Sequence, residues 1–203
     1  YKLNLSGEFI FGGWSMGSLI AYEMAVYHKE LRGVISKVFI IDQLSYQTNK
    51  NNLDIGDTER IVIFSKKVEH LIGDKLNIDY NMVSSLSDLE RSMLFLKKFK
   101  QYNLVPKNIV LSDFTGFLDN MLFHNKISLT HTPSKYNGKV IVIRAESPMI
   151  NDDGVYYDIN PTDDLRWGEF AKSIIVITAP GNHASIIRSP NVEIMIHRLQ
   201  KAL

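Results

Sequence analysis

The sequence predicts an α/β fold, a mostly parallel sheet flanked by helices and interrupted by a helical insertion. Three observations predict it. Apolar runs at residues 34–41, 139–144 and 173–177 are continuous rather than alternating, the signature of strands buried on both faces. The first run follows a strand–turn–helix passage, and strand–helix–strand succession is the unit of a parallel sheet with right-handed crossovers. Between residues 53 and 126 the apolar spacing changes to three or four residues, so a helical stretch of about 75 residues separates two parts of one sheet.

The first strand is read at Glu8-Phe9-Ile10-Phe11. It meets Gly12-Gly13-Trp14-Ser15-Met16-Gly17, and a helix-forming stretch, Ser18-Leu19-Ile20-Ala21-Tyr22-Glu23-Met24-Ala25, follows. This order places Ser15 at the apex of a tight turn between strand and helix. Such a turn strains the serine backbone and admits only small neighbours, a requirement expected to fall on both Gly13 and Gly17. It also lifts the hydroxyl clear of the sheet. The backbone N–H of Met16 then points to where an oxyanion would form. The helix is expected to reach about residue 28, with Gly33 ending the turn before the strand at 34–41, which stops at Asp42.

Residues 44–57 are polar and read as a loop. Helices are expected over 58–71, from Ser87 to before Pro106, and over 113–124; Ser87-x-x-Glu90 has the form of a capping box. Taken as one insertion at about 53–126 of a single domain spanning 1–203, they are expected to form a lid or a substrate-chamber wall. The sheet resumes at 139–144. A loop rich in Asp, Asn and Tyr occupies 147–167, and the last strand is 173–177. Pro180-Gly181-Asn182-His183 is a turn, and a closing helix covers 191–202.

Bulk composition narrows the function classes. The chain has 203 residues, 45% of them hydrophobic, enough for one substantial core. A net charge of +1, with no basic stripe between aromatics, argues against a nucleic-acid partner. Cysteine is absent, which excludes disulfides and thiolate metal sites. The six histidines (28, 70, 124, 131, 183 and 197) lack the spacing of a metal site. No apolar run approaches the roughly 20 residues of a membrane helix, and Tyr1-Lys2-Leu3-Asn4-Leu5 lacks the layout of a signal peptide. The expectation is a soluble, cytoplasmic protein with no membrane and no metal.

A serine hydroxyl is a weak nucleophile at neutral pH and needs a base, and the base needs an acid to fix its tautomer. His183, just after the last strand, is the candidate base, and Asp42, at the end of the second strand, the candidate acid. Glu146, after the third strand, is the rival acid, disfavoured because Ser147-Pro148 follows it. The order Ser15, Asp42, His183 is the chain order of α/β-hydrolases. Each residue follows the C-terminal end of a strand, and in an open parallel sheet these ends share one edge.

These motifs resemble the type I, chain-terminating thioesterase domains of nonribosomal peptide and polyketide synthases. The likeness runs through the whole elbow from Gly12 to Ala25 and through Ile40-Ile41-Asp42. It continues in Tyr136-Asn137-Gly138-Lys139-Val140, Arg144-Ala145-Glu146 and Trp167-Gly168, and in Gly181-Asn182-His183 with Ser189-Pro190-Asn191-Val192. The resemblance implies an α/β-hydrolase fold and a serine hydrolase. Its acyl or peptidyl substrate would be a thioester on the 4′-phosphopantetheine arm of a carrier protein domain, with no cofactor bound directly. It implies an acyl-enzyme on Ser15, proton transfer by His183 held by Asp42, and release by water or by an internal nucleophile. It also implies substrate contacts at Trp14 and Trp167. About 14 residues precede Ser15, whereas the family has more sheet before its elbow, so the N-terminal strands and second oxyanion donor are expected to be missing from this chain. Such a chain alone is not expected to fold stably or turn over substrate. The alternatives are a stand-alone editing thioesterase, another serine esterase, or a catalytically silent hydrolase fold that binds acyl carriers.

Overall fold

A computed structural model describes residues 9–45, 56–147 and 164–202, which fall into two compact units. The first contains a four-stranded parallel sheet in the order β1 (Ile10–Trp14), β2 (Lys37–Ile41), β3 (Tyr136–Ala145), β4 (Ala171–Ala179). Helix α1 (Met16–Arg32) joins β1 to β2, and α6 (Asn191–Ala202) follows β4. Strand neighbours in space are thus also neighbours in chain order.

Period-two geometry explains why the apolar runs carry no alternation. Val38, Ile40, Val140 and Val142 bury one sheet face against Leu19, Tyr22, Ala25 and Val26 of α1. Phe39, Ile141, Ile143 and Ile177 bury the other with Met195 of α6 and Ile186. Both faces are dry, so the middle positions of the central strands, 38–41 and 140–143, are all apolar.

The ends of these elements differ from the sequence expectation for local reasons. β1 runs on to Trp14, because Gly12 and Gly13 pair with Phe39 and Ile40 in the ladder. α1 runs four residues further, through good helix formers, and ends on Gly33, whose φ of 69° closes a bond from its N–H to the Lys29 carbonyl. β2 starts three residues late. The Tyr136 hydroxyl accepts from the Ser36 N–H (2.9 Å) and donates to the Ser36 carbonyl (2.6 Å), so a side chain satisfies the backbone there.

That hydroxyl and the Tyr22 hydroxyl, which donates to the Ser134 carbonyl at 2.8 Å, are held in the core. Burial pushes both phenols above their ordinary value of 10.0, and the carboxylate of Glu23 adds to the shift of Tyr22. A raised pKa means the folded state favours the protonated form. The associated stability is complete below pH 10 and falls as pH rises past it. The melting temperature is therefore expected to drop steeply above pH 10, and less steeply in Tyr136→Phe; scanning calorimetry from pH 7 to 11 reads this.

The second unit holds four helices among the described residues: α2 (Asp57–Ile72), α3 (Tyr80–Ser84), α4 (Asp88–Gln101) and α5 (Leu111–Thr130). It has its own core of Ile61, Phe64, Phe95, Phe99, Phe114 and Leu118, with Phe95 and Phe99 edge to face at 5.9 Å. The Ser87–Glu90 capping box is formed, and the two bonds from Ser87 hold the exposed Glu90 carboxyl below its usual range. α3 went unanticipated: five residues are too few to show a period, and its start is fixed by Asp79 accepting from the Met82 N–H at 2.9 Å. α5 outruns its apolar stripe by six residues and stops short of Pro133. The loops read at 44–57 and 147–167 lie mostly outside the described residues.

Candidate active site

Ser15 follows β1 and forms the N-cap of α1 with φ 55° and ψ −137°. A non-glycine residue adopts such angles at a cost of about 1–3 kcal/mol, and only where its surroundings impose them. Four bonds impose them here. The Ser15 N–H donates to the Ile41 carbonyl (3.1 Å), and the Ser15 carbonyl accepts from the Ser18 N–H (2.8 Å). The Ser18 hydroxyl, wholly buried, donates to the Gly13 carbonyl (2.5 Å) and accepts from the Ile41 N–H (3.1 Å).

The glycines of the turn are not equivalent. A Cβ on Gly13 would stand 2.2 Å from the carbonyl carbon and oxygen of Gly17 and 2.5 Å from the Ser18 nitrogen. A Cβ on Gly17 meets nothing within 4 Å. The expectation that both supply room is therefore corrected: the close approach runs from Gly13 to the backbone of Gly17, and the side of Gly17 itself is open.

Asp42 follows β2, is 2% exposed and has a φ of 51°. One carboxylate oxygen, Oδ1, accepts from the Ala145 N–H at 2.8 Å, and the other, Oδ2, lies 2.9 Å from Nδ1 of His183. Nε2 of His183 lies 3.1 Å from the Ser15 hydroxyl oxygen. A carboxylate only accepts, so Nδ1 carries the proton and Nε2 is left to accept from the serine. Glu146, the rival acid, instead takes Arg198 of α6 at 2.7 Å.

His183 sits on a non-helical turn braced from within. Asn182 Oδ1 accepts from the N–H groups of Ala184 (3.0 Å) and Ser185 (2.9 Å), and Asn191 Nδ2 donates to the Ser185 carbonyl (3.1 Å). Met16, as the first residue of α1, has an N–H with no acceptor inside its helix. It stands next to the serine, where a negative charge would develop.

The two tryptophans have different places. Trp14 ends β1; its indole Nε1–H donates to the His183 carbonyl (2.9 Å) and its ring stacks on the imidazole at 5.2 Å and 29°. Trp167 is fully buried in the core, 4.7 Å from the Tyr22 ring, with Nε1–H donating to the Gln43 carbonyl (2.7 Å). A side chain without exposed surface touches no substrate, so the expected contact at Trp167 gives way to a core role.

Ser18 was not anticipated as part of the site. The available signal was a serine among apolar residues on the inner face of α1. With Ser18→Ala the Ile41 N–H and the Gly13 carbonyl lose their partner in a water-poor setting, and a stability loss of about 1–3 kcal/mol is expected. Urea denaturation reads it as a lower midpoint at unchanged slope.

Other polar features lie apart from these residues. Nε2 of His131 meets Glu23 at 3.0 Å, and His28 lies in the core. No group of three His, Asp or Glu side chains among the described residues could hold a metal ion. No helix among them is long and apolar enough to cross a membrane. A cavity of about 530 Å³ within the helical unit is lined by apolar side chains such as Ile61 and Leu118 together with Arg91 and Asp88.

Several solved structures share this architecture. A four-domain nonribosomal peptide synthetase, holo-AB3403, bound to AMP and glycine, matches with a TM-score of 0.78 and 23% identity over 99% of this chain and 15% of its own. The NocB thioesterase domain in covalent complex with a fluorophosphonate nocardicin G analogue matches at 0.58, with 14% identity, 97% of this chain and 66% of its own. The fold is that of a thioesterase domain. The Vlm2 thioesterase domain, bound with a dodecadepsipeptide, agrees, with a TM-score of 0.56, 18% identity and coverage of 95% and 65%. This chain thus spans about two thirds of the length of the thioesterase domains it matches. The parallel sheet flanked by helices that the sequence predicts is observed, and it is the fold shared with these thioesterase domains. No protein-family model matches the sequence.

Proposed function

We propose that this protein is a serine thioesterase that releases an acyl or peptidyl chain from the phosphopantetheine thioester of a carrier protein domain. The observation that carries the reading is the hydrogen-bonded series Ser15–His183–Asp42, built on a hydrolase elbow, in a fold shared with thioesterase domains. Ser15 attacks the thioester carbonyl while Nε2 of His183 takes its proton. Asp42 holds the imidazole in the required tautomer and stabilises the imidazolium. The Met16 N–H binds the oxyanion of the tetrahedral intermediate. Collapse expels the pantetheine thiol, which receives the proton from His183, and leaves an acyl-enzyme on Ser15. Water, or a hydroxyl or amine of the same chain, then gives up its proton to His183 and attacks the ester, yielding a free acid or a macrocycle.

The helical unit belongs to the same domain in this reading, because β2 and β3, on either side of it in the chain, pair within one sheet. The test is incubation of the protein, in its full natural chain, with octanoyl-pantetheine thioester, with the freed thiol followed by a thiol-reactive dye. Thiol release well above the buffer rate, and faster than release from the p-nitrophenyl ester of the same acid, is expected. Release at the buffer rate contradicts the proposal.

A further inference from the structure

We propose that Trp14 positions the general base, and that it acts on the rate of acyl transfer rather than on substrate binding. The inference rests on the acyl-transfer reading of Ser15 and His183. Sequence position suggests a different role: a large aromatic beside a nucleophile is well placed to touch substrate. The geometry points elsewhere, because the indole makes two separate contacts with the same histidine. Its Nε1–H donates to the His183 backbone carbonyl at 2.9 Å. Its face lies against the imidazole, ring centroids 5.2 Å apart and planes inclined by 29°.

These two contacts do different things. The hydrogen bond fixes where the backbone of His183 sits. The stack limits rotation of the imidazole about its side-chain bonds. The Asp42 bond, at one edge of the ring, sets the tautomer but leaves the ring free to tilt about the line from Nδ1 to Oδ2. A face contact resists that tilt. With both in place, Nε2 is held at the 3.1 Å that separates it from the Ser15 oxygen.

The location of Trp14 makes it suited to this work. It ends β1 one residue before the nucleophile and pairs with Ile41, one residue before the acid. Its side chain also packs against the apolar cluster that contains Phe39, Ile143 and Ile186. The indole is thereby tied to the sheet that carries Ser15 and Asp42, whereas His183 is carried by a turn. Trp14 is the strut between the two. When His183 takes the serine proton, the imidazolium also lies on an electron-rich face, which favours the charged intermediate.

The test uses Trp14→Phe, which keeps a ring but lacks the N–H, and Trp14→Leu, which loses both contacts. With pantetheine thioesters of acetate, butyrate and octanoate, kcat is expected to fall about threefold to tenfold in Trp14→Phe and about tenfold to a hundredfold in Trp14→Leu. The fall should be the same for all three acyl lengths, with KM unchanged. The inactivation rate by a small methyl fluorophosphonate should fall in the same order. A KM that rises with acyl length while fluorophosphonate reactivity stays at the wild-type rate would make Trp14 a substrate contact and overturn the proposal. A lowered melting temperature with kcat intact would make it structural only and overturn it as well.

One readout is independent of turnover. In proton–carbon NMR of the protein labelled in its histidines, the ring current of the indole should displace the His183 imidazole signal, and Trp14→Leu should remove that displacement. An unmoved signal in Trp14→Leu counts against the clamp. If the wild-type protein neither labels nor turns over, the functional reading fails, and the imidazole signal still decides whether Trp14 holds the ring.

Discussion

Asp42→Asn should lower kcat by about 10²–10⁴ while leaving the protein folded. The size of the effect follows from the two bonds on the carboxylate. The Ala145 N–H donates to Oδ1, so the amide oxygen of an introduced asparagine must face Ala145. Its NH2 group then faces Nδ1 of His183, and two donors cannot meet. The imidazole answers by moving its proton to Nε2, the atom that has to accept from Ser15. The geometry of the site survives and the base is lost. Glu146→Gln serves as the comparison: that carboxylate pairs with Arg198 on α6 and has no bond to His183, so turnover within a factor of about two of wild type is expected. Steady-state kinetics on one pantetheine thioester measures both. Equal rates for Asp42→Asn and wild type, with a collapse in Glu146→Gln, would reassign the acid.

Gly13→Ala should do more damage to the elbow than any other single methyl group. The added carbon would lie 2.2 Å from the carbonyl carbon and oxygen of Gly17, both fixed in the first turn of α1. No side-chain rotation relieves that overlap. Either α1 moves away from β1 or the turn opens, and each breaks the Ser18 bonds to Gly13 and Ile41. A stability loss at or beyond the upper end of the roughly 1–3 kcal/mol of overpacking mutations is expected. Loss of reactivity at Ser15 should accompany it. Gly17→Ala, with nothing within 4 Å of its new carbon, should hold its stability or gain from the better helix propensity of alanine, worth up to about 1 kcal/mol. Thermal unfolding of the two variants separates them. Equal losses would mean that the elbow is packed differently from the arrangement described.

The contrast between these glycines shows what the sequence conveys and what it hides. Gly-x-Ser-x-Gly treats the two positions alike. Only the approach of two backbones tells them apart, and no side-chain pattern records it. The sheet was legible because strands buried on both faces need unbroken apolar runs, as at 38–41 and 140–143. The places of Ser15, Asp42 and His183 could be read because Ser15 and Asp42 directly follow β1 and β2, and His183 lies in the turn after β4. Trp14 and Trp167 could not be sorted the same way: an indole has an apolar body and a polar edge, and the sequence does not say which neighbour takes the edge. In one case it is the carbonyl of His183, in the other that of Gln43. Helix ends slipped for a similar reason. Gly33 ends α1 through its backbone conformation and Pro133 follows α5 as a helix breaker, and no apolar stripe records either.

The central claim is that Ser15 is an activated nucleophile, held ready by His183 and Asp42. Intact-mass measurement of the protein in its full natural chain, after exposure to a fluorophosphonate, tests it most directly, with Ser15→Ala as the control. A single adduct on the wild-type protein that is absent from Ser15→Ala is the predicted result. A folded protein that takes no adduct, or an adduct that persists in Ser15→Ala, would contradict it.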